Sequence, residues 1–281
     1  MSFRTTARRL ARLPIIGPAV IAGVKLRIGF SFARNPTRQF AAWFIGSREY
    51  TNFTYNLTEL NRRHLASFVT QVVDINPSKA LEYMEELDQD SQLREHIKRR
   101  IAASDEKRFA DLEPRFARRL GWYAIVRALK PRIIVETGVD KGLGACVLTS
   151  ALLRNSQEGR PGYYYGTDIN QHAGYLLGDA YATCGKIILG DSIESLGAMD
   201  ELIDLFIHDS DHSAEYEAQE YSAIENKLSE SAIVLSDNAH VTDELLRFAE
   251  RTNRQFLFFK EQPADHWYPG AGIGAAFRQH R

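Results

Sequence analysis

From Arg132 onward, short apolar runs alternate with stretches whose apolar residues recur at helical spacing. The runs Ile133–Glu136, Tyr163–Asp168, Lys186–Leu189, Leu202–His208, Ala232–Ser236, Gln255–Phe259 and Ile273–Phe277 predict seven strands. Leu143–Leu153, Ala173–Thr183, a short piece near Ile193, Ala214–Leu228 and Asp243–Arg251 predict the intervening helices. This alternation implies an α/β fold with a mostly parallel sheet. The segment Glu261–Gly272 is too irregular for a crossover helix, so the last strand is expected to run antiparallel.

The preceding region, Asn61–Leu129, is helical throughout. His64, Phe68, Val72 and Val73 share a helical face that stops at Asn76-Pro77-Ser78. Ala80, Tyr83, Met84 and Leu87 mark a second helix, and Leu93, Ile97 and Ile101 a third. A fourth, from Phe116 to Leu129, ends before Lys130-Pro131. Three regions are expected: a leader over 1–48, a helical cap over 49–130, and an α/β domain over 131–281.

Charge changes the picture of the leader. The net charge of -1 over 281 residues excludes a general nucleic-acid binder. Nine basic residues (Arg4, Arg8, Arg9, Arg12, Lys25, Arg27, Arg34, Arg38 and Arg48) nevertheless precede the first acidic one, Glu49. Of the 35 basic residues, 26 remain to face 36 acidic ones, so the body is acidic. The apolar run Pro14–Val24 carries Pro14 and Pro18 and is too short to span a bilayer, which takes about 20 residues. A basic, apolar leader fits a segment on an anionic membrane surface, an arm exchanged in a homo-oligomer, or a poorly ordered tail. Cys146 and Cys184 give no disulfide framework, which points to a cytoplasmic protein, with the inner face of the membrane as the place the leader would reach.

The chemistry lies at predicted strand ends, where open α/β sheets bind their ligands. Glu136-Thr-Gly138-Val-Asp140-Lys-Gly142-Leu-Gly144 follows the first strand and opens a helix. Its glycines are not spaced as in dinucleotide binders, and Glu136 disfavours a pyrophosphate, so a cationic ligand fits better. The second strand ends in Asp168, suited to ribose hydroxyls, and the third in Asp191-Ser192, suited to a base edge. The fourth strand, Leu205-Phe-Ile-His208, releases Asp209, Asp211 and His212, and the fifth ends in Asp237-Asn238. Carboxylates about 4 Å apart repel by about 4 kcal/mol at an effective dielectric near 20, so a proton or a cation should sit between Asp209 and Asp237.

At Glu136 to Gly144 and Asp168 the chain resembles the class I S-adenosylmethionine-dependent methyltransferases. Asp209, Asp237 and Asn238 are similar to the magnesium set of the catechol O-methyltransferase-like branch. Asp209-Ser-Asp211-His212-Ser213 is close to the Asp-Gly-Asp-His-Ser motif of bacterial relatives acting on sugars and natural products. The resemblance covers roughly 129–278 and implies a Rossmann-like, seven-stranded sheet capped by the amino-terminal helices. It implies that S-adenosylmethionine is held by Glu136, Gly138, Gly142, Gly144, Asp168, Asp191 and Ser192, with His208 added at the strand end. Asp209, Asp237 and Asn238 would hold Mg2+ or another divalent cation.

His212 departs from the catechol enzymes, where a lysine is found, and an imidazole can take a proton from the acceptor hydroxyl. Asp211 is the alternative base, with His212 orienting it, and a zinc site between His208 and His212 competes for the same residues. His240 is a further pocket candidate, and His172 a helix start. The expected reaction is magnesium-dependent methyl transfer to a hydroxyl of a sugar, glycolipid or natural product. A catechol-type small phenol and a non-catalytic S-adenosylmethionine-binding protein are the alternatives.

Overall fold

The computed structural model describes residues 10–278, so Arg4, Arg8 and Arg9 of the basic leader lie outside the described residues. The chain forms two compact units, one made of the segment up to Ser47 with Asp265–Tyr268, the other of the remainder. The first unit is dominated by one helix, α1 (Gly17–Gly46), of 30 residues. Pro18 sits in its first turn, where a missing N–H costs nothing, and Pro36 lies inside it. Within this unit Trp43 packs against Phe40 and Trp267, with ring centroids 5.8 and 5.2 Å away.

The second unit begins with a short strand, β1 (Asn56–Leu57), and the helices α2 (Glu59–Val73), α3 (Pro77–Asp88), α4 (Ser91–Ala103) and α5 (Arg119–Leu129). Thr58, Asn76 and Asp90 each cap the following helix by accepting a backbone N–H three residues on. Lys130, in the left-handed region, ends α5 ahead of Pro131. The apolar faces meet at Leu65, Val69, Val72, Met84, Leu87, Trp122 and Tyr123, all fully buried.

The rest follows the predicted alternation: β2 (Ile133–Thr137), α6 (Leu143–Gln157), β3 (Tyr163–Asp168), β4 (Gly185–Leu189), α7 (Ser192–Gly197) and β5 (Ile203–His208). Then come α8 (Ala214–Ile224), β6 (Leu228–Asp237), α9 (Glu244–Arg251), β7 (Gln255–Lys260), β8 (Pro263–Ala264) and β9 (Gly272–Phe277). Seven strands form one sheet in the order β4-β3-β2-β5-β6-β9-β7. The first five are parallel, and β9 runs antiparallel between β6 and β7. The expected Rossmann-like sheet with a reversed last strand is therefore present. The central strands are buried on both faces, which is why they read as continuous apolar runs.

The expected helix over Ala173–Thr183 is corrected. Turns occupy that stretch up to Leu176, followed by a 3-10 helix, Asp179–Cys184. Its backbone is committed elsewhere: Gly174 N–H donates to Asp140 O at 2.7 Å and Leu176 N–H to Lys141 O at 3.0 Å. Gly174 also takes a positive φ of 72°, which an α-helix forbids. The segment thus braces the glycine loop after β2. The predicted helix Ala214–Leu228 also stops short, because Leu228 already pairs with Ile203 as the start of β6.

Candidate active site

The parallel register aligns the strand ends: Thr137 lies opposite His208, and His208 opposite Ser236. The residues released next, Gly138, Asp209 and Asp237, therefore share one edge of the sheet. The approach is close. A side chain on Gly138 would place its Cβ 2.0 Å from the Asp209 carbonyl oxygen, and Gly138 takes φ +78°. Gly142 (φ +95°) lies against Gly174, and Gly144 lies under the Glu136 carboxyl, 2.2 Å from where a Cβ would sit. These glycines let the loop, the acidic strand end and Glu136 occupy one small volume.

Glu136 is 1% exposed and accepts a hydrogen bond from the Tyr164 hydroxyl at 2.5 Å. Burial raises its pKa to about 7. Its carboxyl lies against Gly144 and supports the loop from beneath. Asp168 accepts the N–H of Asp140 and of Asn170, both at 2.8 Å, which fixes its carboxylate at the cleft edge. A cleft borders these groups, lined by Asp140, Lys141 and Asn170 on one side and Tyr50, Asn52 and Phe109 on the other. Asp191 caps α7 through the Ile193 and Glu194 N–H groups.

Ser192 and His208, expected on the cofactor side, join a buried network around Glu220. Glu220 accepts from Thr137 and Ser210, both at 2.8 Å, and from Ser192. His208 exposes no surface, and its Nδ1 lies 2.6 Å from Glu220 Oε2. Burial works to raise the Glu220 pKa, but His208 and the hydroxyl donors outweigh it and leave the carboxyl below its ordinary value. Glu220 escaped the sequence reading although Glu217, Glu220, Tyr221 and Ile224 share one face of α8, a spacing that placed two carboxylates inside.

Above this network, Asp209, His212 and Asp237 each offer a ligand atom within 4.8 Å of the others. His212 Nε2 is 3.9 Å from Asp209 Oδ1 and accepts from Asn238 Nδ2 at 3.0 Å. Asn238 Nδ2 also reaches Asp237 Oδ2 at 3.3 Å. The His208 and His212 rings meet edge to face at 5.3 Å, but the metal-capable group among the described residues is Asp209, His212 and Asp237, without His208. Asp211 is exposed and accepts the Ser213 N–H at the start of α8. His240 is 6.1 Å from the Phe258 ring, and His172 donates its backbone N–H to Asn170 in an exposed turn.

Sequence reasoning missed Arg118 altogether. It precedes α5 and is 8% exposed, and its guanidinium pairs with Asp237 through Nη2 at 2.5 Å and also through Nε. Its Nη1 is 3.6 Å from Glu261 Oε2, and its backbone N–H donates to Glu261 Oε1 at 3.0 Å. Tyr55 donates to the same Glu261 carboxylate at 2.9 Å. Burial, then the charge of Asp237, push Asp209 well above the ordinary carboxylate range. Burial acts on Asp237 too, but Arg118 prevails and keeps it below that range. Their opposite shifts favour a proton on Asp209 and ionisation of Asp237. Burial and the nearby His208 lower the pKa of His212, which favours neutral imidazole.

Residues 135–239 match the family model described as a methyltransferase domain. Over that stretch the chain is similar to a methyltransferase domain, and its sheet has the Rossmann-like order. No curated protein matches the chain. Among solved structures, a proposed O-methyltransferase from Klebsiella pneumoniae aligns over 70% of this chain and 94% of its own, with 10% identity and a TM-score of 0.50, a likeness of fold. A methyltransferase from Geobacter sulfurreducens aligns over 73% of this chain and 98% of its own, with 15% identity and a TM-score of 0.49. The O-methyltransferase TomG from Streptomyces achromogenes, solved with S-adenosylmethionine, aligns over 80% and 100%, with 15% identity and a TM-score of 0.45. Within the matched stretch, β2 carries the glycine loop and β5 and β6 carry the acidic pair.

Proposed function

We propose that the domain transfers a methyl group from S-adenosylmethionine to a hydroxyl oxygen of a sugar, glycolipid or natural product, with a divalent cation at the acidic pair. One observation carries this reading: the glycine loop touches the backbone of Asp209, so a donor on the loop and an acceptor on Asp209 would be neighbours. The donor supplies an electrophilic methyl on a sulfonium; the acceptor oxygen takes the methyl as its proton leaves, and the donor departs as a neutral thioether. Glu136, Gly138, Gly142 and Gly144 shape the loop, and Asp168 and Asp191 offer carboxylates toward the nucleoside.

The donor set fits a hard cation. Asp209 and Asp237 supply oxygens, and because Asn238 Nδ2 faces His212, its carbonyl oxygen is left for a ligand. A bound magnesium ion would lower the pKa of a hydroxyl placed on it and fix its direction. Arg118 offsets one of the two carboxylate charges, so the fully ionised pair would carry a net charge of -1 and attract a cation that displaces a proton from Asp209. His212, held neutral by burial, is the base for the hydroxyl proton once the acceptor displaces the Asn238 amide from its Nε2. Asp211 caps the turn that presents it.

The test is incubation of the protein with labelled donor, magnesium and a panel of vicinal diols and catechols, read by mass spectrometry. His212→Asn should slow transfer by about 100-fold to 10,000-fold, the usual contribution of a positioned base, while donor affinity stays unchanged. Transfer at full rate in a chelator, or in Asp209→Ala, refutes the cation. Donor binding without transfer to any acceptor would favour a non-catalytic binding protein.

A further inference from the structure

Helix α1 exposes more apolar surface than a protein of this kind leaves in water. Leu26, Phe30, Phe32, Phe44 and Ile45 are between 69% and 84% exposed, and Ile28 is 52% exposed. At 100° per residue these side chains occupy most of the helix circumference. As far as Arg38 the exception is one stripe, which Ile45 alone of these residues enters in the last turn. Arg27, Arg34 and Arg38 follow at intervals of seven and four residues and fall on one side. Exposed apolar patches beyond a few hundred Å2 mark a surface that something else covers.

Charge and shape identify the cover. Residues 10–48 hold Arg12, Lys25, Arg27, Arg34, Arg38 and Arg48 and no acidic residue. Two copies of α1 packed together would align like charges with no carboxylate between them. A partner protein surface would cover one side of the helix and leave the rest in water. A lipid surface can receive apolar side chains around much of the circumference and neutralise the arginine stripe with its headgroups. Lys25, on the apolar side, can reach that layer by extending its stem.

Spanning is excluded, since no helix among the described residues is long and apolar enough to cross a membrane. The helix therefore lies in the plane of the interface. The Phe40, Trp43 and Trp267 rings packed at its end are the aromatic type that settles at headgroup depth. We propose that α1 is a docking helix for an anionic lipid bilayer and anchors the full chain at its surface.

Co-sedimentation of the full chain with phosphatidylcholine vesicles, with and without phosphatidylglycerol, tests this. Strong binding is expected only with phosphatidylglycerol, and it should weaken as salt is raised. The triple variant Arg27→Gln, Arg34→Gln, Arg38→Gln should lose about 100-fold in partitioning, at roughly fivefold per charge near the surface. Phe30→Ser with Phe32→Ser should release the protein from both kinds of vesicle. All five side chains are exposed and lie outside the candidate site, so the variants should keep donor binding. Equal retention on neutral vesicles overturns the proposal. So does absence of vesicle binding together with a stable dimer that the Phe30→Ser, Phe32→Ser variant dissociates, because a second copy would then be the cover.

Discussion

Glu136 offers a direct measurement of what the close packing of the glycine loop costs. Its carboxyl is buried, and its pKa stands at about 7 against an ordinary value of 4.5. Below pH 4.5 the group is neutral both folded and unfolded, and its preference for the neutral form stabilises the fold in full. As the pH rises through about 7 the folded chain must ionise a carboxyl that burial disfavours, and that stability is lost. At about 1.4 kcal/mol per pH unit the whole effect is about 3 kcal/mol, of which about 2.5 kcal/mol falls between pH 5 and pH 8. Glu136→Gln keeps an acceptor for the Tyr164 hydroxyl and removes the titration. Melting temperatures of the two proteins, measured from pH 5 to pH 8, should diverge in favour of the glutamine by about 5 °C, at about 2 °C per kcal/mol for a chain of this size. A constant difference across that range would show that the buried carboxyl carries no proton and would refute the reasoning.

Two other substitutions probe neighbouring parts. Arg118→Met leaves Asp237 and Glu261 buried without their cation, so stability should fall by about 3–5 kcal/mol in denaturant titrations. Adding Asp237→Asn should recover part of that loss, whereas simple addition of the two effects would show that the pair does not interact. Gly138→Ala forces a methyl into the Asp209 carbonyl and strains a positive φ. It should cost about 1–3 kcal/mol and abolish donor binding by calorimetry, and wild-type affinity would disprove the close approach.

The sheet was legible because its strands are buried on both faces and so appear as uninterrupted apolar runs, Ile133–Glu136 and Leu205–His208 above all. The reversed strand was legible from the irregularity of Glu261–Gly272. The convergence of Asp209 with Asp237 followed from parallel neighbours ending level. Other features depend on contacts that a pattern cannot show. Ala173–Thr183 has helical periodicity, yet its N–H groups are claimed by Asp140 and Lys141 from another loop. Arg118 looks like one more charge on an amphipathic helix until the fold carries it 119 residues along the chain to Asp237. His208 and Ser192 stand at strand ends, as cofactor residues do, but an inward-facing glutamate of α8 takes both.

The place of β9 in the sheet has a consequence for how the chain is made. Strand β7 is synthesised earlier, yet its recorded partner in the sheet is β9, with six paired positions from Gln255–Phe277 to Lys260–Gly272. The same late strand also covers Asp237 through Ile273. On the ribosome the first five strands can assemble in order, while β7 waits as an unpaired edge until β9 emerges and slots between it and β6. The acidic corner beside the glycine loop is thus closed by a late stretch of chain, and a nascent chain stalled before Gly272 would carry that corner open to water.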